Sequence, residues 1–192
     1  MAEVLTLGFT QEELIKGCIA GRRDAQEVLY RYYSPKMFGI CLRYANNYHS
    51  GEDILQEGFI KVFNNIDKFR GEGSFEGWIK RIFINTAIEH YRKSTNHTGH
   101  AELEKASFKQ VSEVAVENLA TQDLLKLIQK LSPGYRTIFN MYVIEGYTHK
   151  EIAGKLDISE GTSKSQLARA RNILQKMVKS TNGWFYGWVN NE

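Results

Sequence analysis

Thr148-His149-Lys150-Glu151-Ile152-Ala153-Gly154-Lys155-Leu156-Asp157-Ile158-Ser159-Glu160-Gly161-Thr162-Ser163-Lys164-Ser165-Gln166-Leu167-Ala168-Arg169-Ala170-Arg171 is the stretch on which the fold turns. Thr148 with Glu151 three residues later forms a capping box that opens a short helix. Ile152, Ala153 and Leu156 give that helix an apolar side, and Ala153 has too little side chain to keep a crossing helix away. A tight turn must follow, with one residue near the left-handed region, which aspartate at 157 tolerates. Ser159 caps a second helix predicted over residues 160–178. Leu167, Ala170, Leu174 and Met177 line its inner side; Lys164, Ser165, Ala168, Arg169 and Arg171 line its outer side. Cap, small crossing residue, tight turn and basic exposed face follow in the order of a helix-turn-helix, whose second helix lies in the major groove of DNA. The plainer alternative is a helical hairpin with a solvated basic side.

Upstream, residues 123–131 read as a helix with Leu124, Leu127, Ile128 and Leu131 inside. Ser132-Pro133 is a cap followed by proline at the first helical position, where the missing N–H has no partner to lose. The helix it opens buries Ile138, Phe139, Tyr142 and Val143, and Gly146 stops it.

The N-terminal half is also helical, with apolar residues from Leu14 to Tyr91 at helical spacing and no sustained alternation. Val28, Leu29 and Tyr32 mark a helix over 24–33. Ser34-Pro35 predicts a break and a new helix to about Asn46, which carries Met37, Cys41, Tyr44 and Ala45 on one side. A helix over 52–65 has Leu55, Phe59, Val62, Phe63 and Ile66 as its inner stripe. Its opposite side holds Asp53, Gln56, Glu57, Ile60 and Asn64. That face is either an ordinary solvated surface or a docking face for a basic protein, with Ile60 as an apolar anchor. A turn bracketed by Gly71 and Gly73 carries Arg70 at its approach. Ser74 then caps a helix to about Lys93, with Phe75, Trp78, Ile79, Ile82 and Phe83 inside. Arg81, Asn85, Ile88 and Arg92 share another of its faces, beside Lys80 and Lys93. Arginine and asparagine contact phosphates and base edges, although basic residues at a helix end also simply complement its dipole.

The chain has 192 residues, 25 Lys+Arg against 22 Asp+Glu, 2 prolines and 2 cysteines. So little proline excludes proline-rich or collagenous chains, and two cysteines make no disulfide framework. No basic-then-apolar leader is read at the N-terminus, and no apolar run approaches a bilayer span. A cytoplasmic chain is expected. The net charge of +3 is unevenly spread: +1 over residues 1–95, −2 over 96–122 and +4 over 123–192. The basic excess sits where the helix-turn-helix is predicted, the side that would meet a polyanion. Residues 96–122 are polar and read as a linker. His97 and His100 lie there without a second ligand pair, so no metal is expected. No phosphate loop, nucleophile elbow or other catalytic motif is found, so neither an enzyme nor a cofactor is expected.

Three motifs carry a resemblance. Gly51-Glu52-Asp53-Ile54-Leu55-Gln56-Glu57-Gly58-Phe59, Phe75 through Asn85 followed by Tyr91-Arg92-Lys93, and Tyr147 through Ala153 with Gly161 through Arg171 together resemble extracytoplasmic-function sigma factors of bacterial RNA polymerase. The resemblance implies an all-α protein of two small helical domains joined by a flexible linker, the second a helix-turn-helix domain. The layout expected is a region 2 domain over 1–95, the linker over 96–122, a region 4 domain over 123–182 and an aromatic tail over 183–192. By resemblance, Asp53, Gln56, Glu57, Ile60 and Asn64 would dock on core RNA polymerase, whose β′ and β subunits are the expected partners. Arg70, Arg81, Asn85, Arg92 and Lys93 would contact the "minus ten" promoter element. Thr162, Lys164, Ser165, Ala168, Arg169 and Arg171 would contact the "minus thirty-five" element. An anti-sigma factor is a further expected partner, and no membrane insertion is expected. Ser163 departs from the family's usual valine, which predicts a looser pairing of the two helices. The rival reading is a helix-turn-helix regulator that is not a polymerase subunit.

Overall fold

The computed structural model describes residues 4–5, 8–98 and 119–180. Among these the chain is helical apart from a two-stranded antiparallel ribbon, β1 (Val4–Leu5) with β2 (Phe9–Thr10). The helices are α1 (Gln11–Ile19), α2 (Arg23–Tyr44), α3 (Tyr48–Asn65), α4 (Phe75–Thr98), α5 (Leu119–Gln129), α6 (Pro133–Phe139), α7 (His149–Leu156) and α8 (Glu160–Ser180). The 99–118 part of the expected linker and the aromatic tail lie outside the described residues.

Local chemistry accounts for most of the boundaries. Thr10 and Glu13 form a capping box at α1. Asn47 and Ser50 form an equivalent pair at α3, which therefore starts four residues before the predicted position. Ser74 accepts a hydrogen bond from the Gly77 N–H at the start of α4. The predicted break at Ser34-Pro35 does not occur: α2 runs through Pro35 as one helix. Proline inside a helix costs about 3 kcal/mol. Here Tyr33, Met37 and Phe38 on either side are all buried, and continuing the helix keeps those side chains in the core.

Helices α1 to α4 enclose a core of Leu14, Leu29, Met37, Leu42, Ile54, Val62, Ile66, Phe75, Ile79 and Phe83, each at most 2% exposed. The α3–α4 crossing is close because of Gly58: a Cβ there would overlap the Phe83 ring. Trp78 lies with Phe75 and Phe69 in one aromatic group, its ring parallel to Phe75 at 5.8 Å. It is part of the wall.

The second group, α5 to α8, has its own small cluster of Leu127, Leu131, Ala170 and Leu174. After α6 the helix widens into a π segment, Asn140–Ile144, which Gly146 ends with φ +76°. The two groups share a core: Leu125, Ile138, Met141, Ile152, Leu156 and Leu167 belong to the same buried cluster as the α1–α4 residues.

Candidate protein and nucleic-acid interfaces

The α3 face is present on the surface. Asp53, Gln56 and Asn64 are exposed, and Ile60 is 59% exposed. An isoleucine held that far out of the core is not packed against a neighbouring helix. Glu57 is different. Its carboxylate lies 3.0 Å from Lys61 and 3.8 Å from Lys93, and Lys61 also reaches Glu89 at 2.7 Å. Burial pushes Glu57 up, but Lys61, Lys93 and the nearby His90 hold it below the usual carboxylate value. It is a charged group in a network that ties α3 to α4. Lys93, grouped with the nucleic-acid residues from sequence, is thus placed on the Glu57 side.

The expected α4 surface divides. Arg81 and Arg92 are exposed, but Ile88 between them is 4% exposed and belongs to the core. Asn85 is half-buried and its Oδ1 accepts from Lys155 Nζ of α7 at 3.2 Å. Arg70 is exposed just before the turn in which Gly71 and Gly73 take φ of +74° and +84°.

The helix-turn-helix is built as its sequence dictates. Thr148 accepts from the Glu151 N–H, and the Glu151 carboxylate accepts from the Thr148 N–H at 2.8 Å. Donation from the Thr148 N–H and the Thr148 hydroxyl holds the Glu151 carboxyl below its usual range. Asp157 adopts φ 57°, ψ 50° at the turn. Ser159 accepts from the Thr162 N–H at 2.9 Å, and its hydroxyl also meets the Thr162 hydroxyl at 2.9 Å. Thr162 therefore serves the start of α8. Lys164, Ser165, Ala168 and Arg169 are exposed on the outer side. Arg171 is half-buried with its guanidinium over the Tyr142 ring at 5.8 Å.

Sequence reasoning missed how α7 and α8 are joined. Ser163 is fully buried, with its hydroxyl 2.9 Å from His149 Nδ1. The His149 ring stacks on Tyr142 at 4.5 Å. Where the sequence predicts a looser pairing at Ser163, the structure places a side-chain hydrogen bond between the two helices. Burial lowers the His149 pKa, Lys164 and Arg171 lower it further, and Glu160 opposes them.

Also missed is a polar seam between the two helical groups. The Glu145 side chain is 3% exposed, with Oε1 2.7 Å from Arg43 Nη2 of α2 and Oε2 3.1 Å from Lys80 Nζ of α4. Asn140 Nδ2 donates to the Arg43 carbonyl at 2.6 Å, and Gln129 Nε2 donates to the Leu42 carbonyl at 3.2 Å. Arg136 is 2% exposed and donates to the Gln129 carbonyl and to Asn46 Oδ1. Burial pulls its guanidinium down to about 10, still charged at neutral pH. The only signals in the sequence were single polar residues at otherwise apolar helical positions.

Among the described residues no group of His, Cys, Asp and Glu is arranged to hold a metal, and no helix is long and apolar enough to cross a membrane.

Comparison with known proteins adds findings of three kinds. The family model for Sigma-70 region 2 matches residues 29–97, and that for Sigma-70, region 4 matches residues 121–174. The chain is 29% identical over 177 residues to the ECF RNA polymerase sigma factor SigW of Bacillus subtilis, covering 86% of this chain and 95% of that one. It is 27% identical over 187 residues to the RNA polymerase sigma-H factor of Pseudomonas aeruginosa, covering 89% and 96%. A solved structure of the sigma factor RpoE in complex with the anti-sigma factor NepR from Bartonella quintana is 24% identical, with a TM-score of 0.45 over 80% of this chain and 95% of that one.

Proposed function

The chain belongs to the sigma-70 family as an extracytoplasmic-function sigma factor, a subunit that directs RNA polymerase to promoters, and we propose which of its surfaces does what. The exposed α3 face of Asp53, Gln56, Ile60 and Asn64, with Glu57 at its edge, docks on core RNA polymerase. The Arg70 turn and the α4 residues Arg81, Asn85 and Arg92 engage the "minus ten" element. Helix α8 reads the "minus thirty-five" element through Lys164, Ser165, Ala168 and Arg169. Thr162 and Arg171 support that surface, and Lys93 acts mainly through Glu57. The chain works in the cytoplasm, carries no catalytic step of its own, and is held inactive by an anti-sigma partner.

The observation that carries this reading is the pairing of an exposed polar face, with Asp53 and an isoleucine held 59% exposed, with a separately capped helix-turn-helix whose outer side is basic. A free-standing regulator needs the second but has no use for the first. The test is run-off transcription with purified core enzyme on promoters selected from genomic DNA. Promoter-dependent transcripts are expected only when this chain is added; their absence on every promoter would overturn the assignment. Asp53→Arg is expected to abolish capture of core enzyme without loss of helicity by circular dichroism, since it places a positive charge where a basic partner must sit.

A further inference from the structure

The Glu145 carboxylate bridges two cations from different helices, one on each oxygen. A guanidinium and an ammonium converging on the two oxygens of one anion form the arrangement that also receives a DNA phosphate. Lys80 adjoins Arg81 on α4. One turn further along that helix, Asn85 is occupied by Lys155 of α7. The α5–α8 group thus covers part of the α4 surface that the proposed function assigns to DNA, at Asn85, while Arg81 and Arg92 stay exposed, and its Glu145 carboxylate lies on Lys80 beside that surface and on Arg43 of α2. The seam is also imperfectly satisfied: Arg43 Nε, Arg136 Nε, Thr137 Oγ1 and Asn140 Oδ1 are buried without a hydrogen-bond partner. Buried polar atoms left unpaired weaken an interface.

We propose that Arg43 and Lys80 form a binding site for a phosphate of the promoter DNA backbone, which the Glu145 carboxylate fills as an internal substitute while the helix-turn-helix group is folded onto α2 and α4. Opening the seam removes the carboxylate and leaves two cations without a counter-anion. Their charge is then neutralised by DNA. The same contact that keeps the free chain closed therefore marks where the nucleic acid goes, and in the closed chain Lys80 and Asn85 of α4 are occupied. This inference rests on the reading of α4 as a DNA-contacting helix.

The experiment uses the full-length chain, small-angle scattering for opening, and fluorescence anisotropy with a labelled single-stranded DNA of mixed sequence over a range of salt. Glu145→Gln is expected to enlarge the radius of gyration and tighten DNA binding roughly tenfold at low salt. It is also expected to steepen the slope of log K against log salt by about 0.7 for each phosphate engaged. Arg43→Gln with Lys80→Gln also releases Glu145 but removes the site: it is expected to open the chain without any gain in DNA affinity or slope. An opened Glu145→Gln chain that binds DNA no better would overturn the proposal. So would a double variant that gains affinity as Glu145→Gln does, or a Glu145→Gln chain that stays closed. Run-off transcription by the wild-type chain with core enzyme is scored separately. Failure there with the DNA effects intact counts against the sigma-factor reading; transcription with no DNA effect counts against the phosphate site.

Discussion

Ser163 and His149 form a buried polar joint between the two helices of the helix-turn-helix. A buried hydroxyl needs a hydrogen-bond partner, and the imidazole supplies it. Burial, Lys164 and Arg171 all disfavour protonation of that ring. Its folded pKa lies below that of the unfolded chain, so the contribution to stability is present above the ordinary imidazole value and is lost as pH falls through the folded value. The helix-turn-helix is expected to lose protection from amide exchange over that window, and His149→Gln to flatten the pH dependence; an unchanged profile would place the titrating group elsewhere. The outer side of the same helix is a matter of reach. Lys164→Ala and Arg169→Ala are each expected to lower promoter affinity by about 1–3 kcal/mol if they grip bases, measured by gel shift with the holoenzyme. Arg171→Ala is expected to cost less, because that guanidinium already lies over Tyr142.

At the scale of elements, the sequence is most readable where a local signal and the packing agree. Thr148 with Glu151, Asp157, Ser159 and the α8 stripe all specify the same geometry, and each is found there. The α2 prediction failed because Ser34-Pro35 is a local signal only. The buried residues on both sides of it need a continuous helix, and that long-range demand outweighs the local cost. The face of Asp53, Gln56 and Ile60 was legible because it follows from periodicity alone. The engagement of Glu57 with α4 was not legible, because it depends on which residues of α4 come alongside, and that register is set by Gly58. Gly58→Ala is expected to destabilise the chain by about 1–3 kcal/mol through overpacking against Phe83, read as a lower thermal midpoint. An unchanged midpoint would mean that α3 and α4 can separate at no cost.

For the whole molecule, the missed feature was that the two helical groups meet. Composition and spacing divide the chain into a nearly neutral N-terminal part and a basic C-terminal part. They contain nothing about Arg136, Asn140 and Glu145 crossing between the halves, because the pairing of distant polar residues has no period. The thiols offer a global probe. Cys18 and Cys41 are buried, and burial pushes them up to about 11 and about 12. Little thiolate exists at pH 8, so both are expected to resist a thiol reagent until the α1–α4 group unfolds; rapid labelling of the native chain would show that this core opens on its own. The seam has a last consequence, for interchangeability. Arg43 and Lys80 belong to one half of the chain and Glu145 to the other. Grafting another family member's C-terminal half onto this N-terminal half therefore transplants a promoter preference together with a new match or mismatch at position 145. Such hybrids should sort into silent and leaky forms according to the charge of that single inherited residue.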